Sequence, residues 1–252
     1  STGAGGTSYL TREALDAIED SEVIVGYTKY IKELKLEFKD KELYNSGMTK
    51  EIARCDQAIE IARTGKTTTI ISNGDVNVFG MATLVIELMD EKDLWDEVEI
   101  VSVPGVSSVF AAACKVGAPL SQDFAIISLS DRLTDPNMIN KRIFNALDAD
   151  FVVAIYNPKS KKRIQPYLDF LDILNKFEER VVTVAQNVGR SEKEHIAITT
   201  STDLIQQGLE HEDVGMSTLL IVGNSNSRLT KNGQILTPRG YLKKYETSGD
   251  LK

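Results

Sequence analysis

The chain has 252 residues, 42% of them hydrophobic and 26% charged, enough to bury the cores of one large or two modest globular domains. Lys and Arg total 29 against 37 Asp and Glu, a net charge of −8, which argues against a broad nucleic-acid-coating surface. No run approaches the roughly 20 apolar residues of a membrane span, and the Gly-rich opening at Ser1 is not the charged-then-apolar pattern of a leader, so a cytoplasmic protein is expected.

The opening "TGAGG" (Thr2–Gly6) reads as a loop that follows a strand, although no strand pattern stands before it. Its glycines let backbone approach a ligand closely, yet the dinucleotide fingerprint fails because Ser8 stands where a third Gly is needed. A plain turn explains it equally well. A helix is expected over Arg12–Asp20, a strand over Val23–Val25, and a helix over Lys50–Arg63. "GKT" (Gly65–Thr67) precedes its strand instead of following it, and Glu60 stands where a phosphate loop needs Gly, so that reading is rejected.

The β-branched run Thr67–Ile71 stops at Asn73-Gly74-Asp75. Gly74 permits close approach, and Asp75 can accept from ribose hydroxyls or fasten the loop by an Asx-type bond. A helix then follows over Gly80–Met89, a strand over Val98–Val103, and a Pro-Gly turn leading to Ser107 and Ser108, which can cap a helix reaching Val116. "KVGAPLSQD" reads as a joint, placing one α/β domain in residues 1–118 and a second in 119–252.

In the second half, strands are expected at Phe124–Ser128, Phe151–Tyr156, Val181–Gln186, Ile196–Thr199 and Thr218–Val222. Helices are expected at Pro136–Ala146, with Asp135 capping, and at Ile164–Phe177, with Pro166 in its first turn. The tail "ETSGDLK" is expected to fray. "YNPKSKKR", "NVGR" and "GMSTLLIVGNS" lie at or beside strand ends, where open α/β sheets bind ligands. Lys159, Lys161, Lys162, Arg163 and Arg190 add positive charge there, suited to an anionic ligand or to a solvated face.

Cys55 and Cys114 fall on different predicted helices and read as two reduced core thiols. With only His195 and His211 beside them, a structural zinc site is not expected. His195 reads as a surface residue and His211 as a loop residue. No nucleophile elbow, H-E-x-x-H, CxxC or EF-hand loop is present.

Taken in order, "GAG", "SNGDVNVFGM", "VPGVSS", "GAPLSQDFAIISLSD", "YNPKSKKR", "QNVGR", "IVGNS" and "TPRGY" resemble the tetrapyrrole methyltransferases of the cobalamin pathway, over almost the whole chain. The series from "ISLSD" to "TPRGY" is similar to the precorrin-3B C17-methyltransferase branch in particular. The resemblance implies two α/β domains with mixed sheets and S-adenosylmethionine bound in the cleft between them. It implies a homodimer acting on a carboxylated tetrapyrrole, while charge, hydropathy and the Cys and His count give no expectation of a nucleic acid, membrane or metal partner. The implied cofactor contacts are Ala4, Gly74, Asp75, Val78, Ser107 and Ser108 from the first domain, and Tyr156, Asn157, Asn187, Val188, Met216, Ser217 and Thr218 from the second. Ala4, Val76 and Asn77 depart from the residues usual there, which bears on loop shape.

Methyl transfer from a sulfonium needs alignment more than acid–base groups, in keeping with the missing acid–base motifs. For the ring contraction coupled to it in this branch, Ser128, Ser130 and Asp131 are the expected catalytic group. Arg132, Lys159, Arg163, Arg190 and Arg239 are the expected clamps on substrate carboxylates. Methylation of another ring carbon, of a protein side chain or of RNA, and a non-catalytic binding role on the same fold, stand as alternatives.

Overall fold

Val152–Tyr156 reads Val-Val-Ala-Ile-Tyr, and its first four residues are all buried, as a β-branched run covered on both faces should be. The computed structural model describes residues 1–34, 38 and 40–252. By internal contacts the chain divides into two compact units. One is Ser1–Ala111 with Gly189–Glu192, and the other is Ala112–Val188 with Lys193–Lys252. The boundary expected at 118/119 lies further along, beyond the end of the helix Ser108–Val116.

In the first unit, α1 (Arg12–Asp20) is capped by Thr11, whose hydroxyl accepts from the Ala14 amide at 3.1 Å. It leads to β1 (Val23–Tyr27), α2 (Thr28–Leu34), β2 (Glu42–Ser46), α3 (Glu51–Ala62), β3 (Thr68–Ile71), α4 (Ala82–Glu91) and the first residues of α5 (Ser108–Val116), within which the division falls. β1 is the middle strand of a parallel sheet, β2-β1-β3. Ile18, Ile24, Ile31, Leu34 and Ile71 pack together on one side of it, and Val23, Val25 and Ala58 on another.

The second unit is built on β5 (Phe124–Ser128), β6 (Val152–Tyr156), β7 (Val181–Gln186), β8 (His195–Thr200) and β9 (Thr218–Val222), in the order β5-β6-β9-β7-β8. β4 (Gly117–Ala118), β10 (Arg228–Leu229) and β11 (Ile235–Leu236) form a small separate sheet. The helices are α6 (Pro136–Asp148), α7 (Gln165–Leu174), α8 (Ser201–Gln207) and α9 (Tyr241–Lys244). Asp135 caps α6 as expected, accepting from the Asn137 and Met138 amides at 2.8 and 3.3 Å. Tyr167, Phe170 and Leu174 of α7 and Ile139, Ile143 and Leu147 of α6 fill the core over the large sheet, each contributing about 1.5–3 kcal/mol by leaving water.

Five expectations are corrected. Val98–Val103 has the strand pattern but forms no ladder. A strand needs a neighbour to pair with, and among the described residues this segment finds none. The helix expected from Gly80 begins at Ala82, because Phe79 is left-handed (φ 55°) and Gly80 packs on the Asp75 and Val76 carbonyls. β2 and α2 lie where nothing was expected; Glu-Leu-Tyr-Asn-Ser is an edge strand exposed along much of its length. Cys114 is exposed, unlike the buried Cys55, whose thiol burial pushes up to about 11. The tail does not fray: a bridge pairs Tyr245 with Leu251 across a turn that Gly249 (φ 97°) allows.

Candidate functional site

Strand direction in the second unit gathers the predicted residues. β6 and β7 both run antiparallel to β9, and β5 runs parallel to β6. The carboxyl ends of β5, β6 and β7 therefore meet the amino end of β9 at one sheet edge. Ser128 is registered with Tyr156, Tyr156 with Leu219, and Gln186 with Thr218. Asn157 and Asn187 each follow a strand directly and share a left-handed backbone, φ 53° and 52°. Asn tolerates this conformation because its short polar side chain bonds locally. The Asn157 amide nitrogen donates to the Ser128 hydroxyl at 3.0 Å, and the Asn187 main-chain amide donates to the Ser217 carbonyl at 2.9 Å.

Around this edge, Val188 and Thr218 are buried and Met216 is 53% exposed, the one large apolar side chain of the group open to solvent. The Thr218 hydroxyl donates to the Asp213 carbonyl at 2.6 Å and accepts from the Gly215 amide at 2.9 Å, so it shapes the Gly215–Thr218 turn. The Ser128 hydroxyl also accepts from the Ser130 amide at 3.2 Å. The Arg163 guanidinium donates to the Leu129 carbonyl at 2.5 Å and the Asn157 carbonyl at 2.6 Å, with Asp131 at 4.0 Å. Burial lowers the pKa of Arg163, and Asp131 opposes it. Lys159 donates to the carbonyls of Leu209 and His211, at 2.5 and 3.3 Å, and burial lowers its pKa as well. Arg132 and Arg239 are exposed, Arg239 lying 6.0 Å from the Tyr241 ring centre.

In the first unit a second group forms. Gly3 and Gly74 exchange main-chain bonds of 3.1 and 2.7 Å, which fixes the buried Ala4 beside the turn after β3. Of the two uses open to Asp75, the Asx bond is present: one oxygen accepts from the Asn77 amide at 2.8 Å. The other accepts from the Gly105 amide at 2.9 Å, so one carboxylate joins the turn after β3 to the Pro-Gly turn before α5. Val78 closes that turn through its amide to the Asp75 carbonyl at 3.1 Å. Ser107 is buried, and its carbonyl takes the first bonds of α5, which Ser108 opens. Arg190 also belongs to this unit and donates to Glu33 at 3.2 Å, both side chains largely buried.

Glu33, Gly105 and the Leu129 carbonyl went unnoticed in the sequence. Main-chain acceptors carry no residue signature, and Glu33 sits in an ordinary amphipathic run; only the Pro104-Gly105 turn offered a hint. Among the described residues no group of three or more His, Cys, Asp and Glu could hold a metal ion, and no helix is long and apolar enough to cross a membrane.

The family described as Tetrapyrrole (Corrin/Porphyrin) Methylases matches residues 1–205. The chain belongs to this family. It is 40% identical, over 95% of its length and 96% of the relative's, to a Salmonella typhimurium protein named "Probable cobalt-factor III C(17)-methyltransferase". A Methanocaldococcus jannaschii protein of the same name is 38% identical over 97% of both chains. Among solved structures, "the methyltransferase CobJ" is similar with a TM-score of 0.86 and 30% identity, covering 94% of this chain and 97% of that one. The tetrapyrrole methylase fold and the methyltransferase class expected from the motifs are thereby established.

Proposed function

We propose that this tetrapyrrole methylase transfers a methyl group from S-adenosylmethionine to C17 of a precorrin-3 type macrocycle, with ring contraction, in cobalamin biosynthesis. The observation that carries the reading is its near full-length likeness to proteins named for C17 methylation of cobalt-factor III. For the same reason the preferred substrate is the cobalt-bearing macrocycle, the metal entering as part of the substrate.

The residues fit the methyl donor. A Cβ built on Gly74 would meet nothing within 4 Å, so bare backbone faces open space where an adenosyl group can approach. Asp75 and Val78 hold that turn, with Ala4, Ser107 and Ser108 beside it. Tyr156, Asn157, Asn187, Val188, Met216, Ser217 and Thr218 offer the second set of contacts at the edge of the large sheet. S-adenosylmethionine supplies a methyl carbon on a sulfonium whose leaving group needs no proton. The chain's task is then to orient donor and ring, to exclude water, and to present fixed dipoles to the changing charge.

Arg132 and Arg239, exposed and without carboxylate partners among the described residues, are the proposed contacts to substrate carboxylates. Arg190 joins them by exchanging Glu33 for a substrate carboxylate, so Arg190→Ala raises KM more than it lowers kcat. Lys159 and Arg163 serve the substrate by shaping the loops that face it. Ser128, Ser130 and Asp131 assist ring contraction. The reading extends to a homodimer, which rests on the resemblance alone.

The deciding experiment incubates the protein with S-adenosylmethionine and cobalt-factor III or precorrin-3B, followed by mass spectrometry and NMR of the product. One added methyl at C17 is the expected result. A methyl at another ring carbon, or no turnover despite tight binding of the donor, overturns the assignment.

A further inference from the structure

The loops that leave β1 and β2 turn to opposite faces of the first unit's sheet. After β1, α2 packs Ile31 and Leu34 with Ile24 and Ile71 on one face. After β2, α3 packs Ala58 with Val23 and Val25 on the other. Where neighbouring parallel strands send their loops apart, a crevice opens between their carboxyl ends, the place where open α/β sheets bind ligands. Here it lies between Tyr27 and Ser46, the last registered pair of β1 and β2. Tyr27, Tyr30 and Ser46 are half-buried and Gly47 is exposed, so the crevice meets solvent.

Arg54, in the first turn of α3, reaches this place. Its Nε donates to the Ser46 hydroxyl at 3.0 Å and its Nη2 to the Gly47 carbonyl at 2.8 Å, and its guanidinium carbon lies 5.8 Å from the Tyr27 ring centre. The residue is only 5% exposed, yet it has no carboxylate partner among the described residues. The acids nearest in sequence are engaged elsewhere: Glu51 accepts from the Thr49 amide, and Asp56 pairs with Lys92. A cation in the first turn also opposes the helix dipole. Buried charges are ordinarily paired, so this guanidinium lacks its counter-ion.

Beside it the Tyr27 and Tyr30 rings meet edge to face, 5.0 Å apart. The Tyr30 hydroxyl makes no hydrogen bond among the described residues. Burial raises its pKa, Arg190 and Arg54 draw it down, and Glu33 and Tyr27 push it up. Arg190, in the same unit, already has its acid in Glu33 at 3.2 Å. Arg54 is therefore the unmatched charge of the group.

We propose that Arg54 and the Tyr30 hydroxyl together bind one side-chain carboxylate of the macrocycle, a substrate contact additional to Arg132, Arg190 and Arg239. The inference rests on the tetrapyrrole substrate of the function proposed above. The carboxylate accepts from the guanidinium and from the phenol, which restores charge balance to the crevice. S-adenosylmethionine also carries a carboxylate, but its proposed contacts in this unit gather at the turn after β3. That turn lies on the far side of β1 from the crevice.

The macrocycle's own absorbance reports binding without turnover. Cobalt-factor III is therefore titrated onto the parent chain, Arg54→Gln, Arg54→Lys and Tyr30→Phe, with S-adenosylmethionine titrated in parallel. Loss of a charge-assisted pair is expected to weaken macrocycle binding about tenfold or more in Arg54→Gln, and about threefold or more in Tyr30→Phe. Donor affinity is expected to stay within about twofold of the parent's. Arg54→Lys keeps the charge and is expected to recover part of the loss. In turnover, KM for the macrocycle rises with little change in kcat. Unchanged macrocycle affinity in either Arg54→Gln or Tyr30→Phe overturns the proposal, as does a loss confined to the donor. Should Arg54→Gln fail to fold, Tyr30→Phe decides alone, since it removes an oxygen that bonds to nothing among the described residues. A parent chain that binds no macrocycle ends the proposed function and this inference with it. A parent that binds and methylates the macrocycle, with variants that match it, ends only the inference.

Discussion

The Arg163 guanidinium donates to the Asn157 carbonyl at 2.6 Å, and its other terminal nitrogen donates to the Leu129 carbonyl at 2.5 Å. One planar fork therefore holds two strand-end loops, the one after β5 and the one after β6, in fixed relation. Lysine carries a single ammonium and does not reproduce the fork. Arg163→Lys should lower stability by about 1.5–3 kcal/mol, as expected for hydrogen bonds to a charged group. Thermal melts check this directly. Calorimetric titration should show weaker S-adenosylmethionine binding at the same time, because the left-handed Asn157 loses its anchor. Unchanged donor binding with only a raised KM for the macrocycle would mean that Arg163 touches substrate instead.

Gly74 and Gly80 respond differently to alanine. A Cβ on Gly80 lies 2.6 Å from the Val76 carbonyl oxygen and 2.7 Å from that of Asp75, and backbone cannot step aside. Gly80→Ala should cost roughly 1–3 kcal/mol or more through overpacking. Gly74 has open space but a left-handed backbone (φ 73°), so Gly74→Ala should cost only about 1–2 kcal/mol. Donor affinity should nevertheless fall further in Gly74→Ala, since its methyl group occupies the proposed approach. Urea denaturation and donor titration of the two variants, side by side, separate strain from lost access.

Asp75 gives one oxygen to Asn77 and the other to Gly105. An asparagine side chain at this position would keep one acceptor and turn its other terminal atom into a donor facing the Gly105 N–H. Asp75→Asn should therefore cost about 1–3 kcal/mol, and Asp75→Ala at least as much. Loss of protection at the Gly105 amide in hydrogen exchange would identify the broken bond.

His211 is buried, and burial lowers its pKa; Asp213 pulls the other way and Lys159 reinforces the drop. A histidine with a lowered folded pKa binds fewer protons in the folded state than in the unfolded state. Its neutral form therefore supports the fold above the ordinary histidine range near pH 6.5, and that support fades as pH falls below it. Urea midpoints measured from pH 8 down to pH 5 should drop more steeply for the parent chain than for His211→Gln. Parallel curves would show that His211 titrates freely.

Much of the fold was legible where burial on both faces leaves a run of β-branched residues, as in β6 and β9. β2 was not, because an edge strand with one open side has little apolar pattern to show. Val98–Val103 teaches the converse: a sequence can carry the strand pattern and form no ladder among the described residues. The polar corners at Gly74, Asn157 and Asn187 were visible because a left-handed or open turn narrows the choice of residue. The partners of Lys159 and Arg163 were not, because a main-chain carbonyl belongs to every residue alike.

β9 lies between β6 and β7 and pairs with both, yet it follows them in the chain. Until Thr218–Val222 leaves the ribosome, the pairs β5–β6 and β7–β8 each present a bare, apolar margin with nothing to join them. The second unit can therefore close only once β9 has been made, and a nascent chain halted before Thr218 carries two sticky margins that invite chaperones or aggregation.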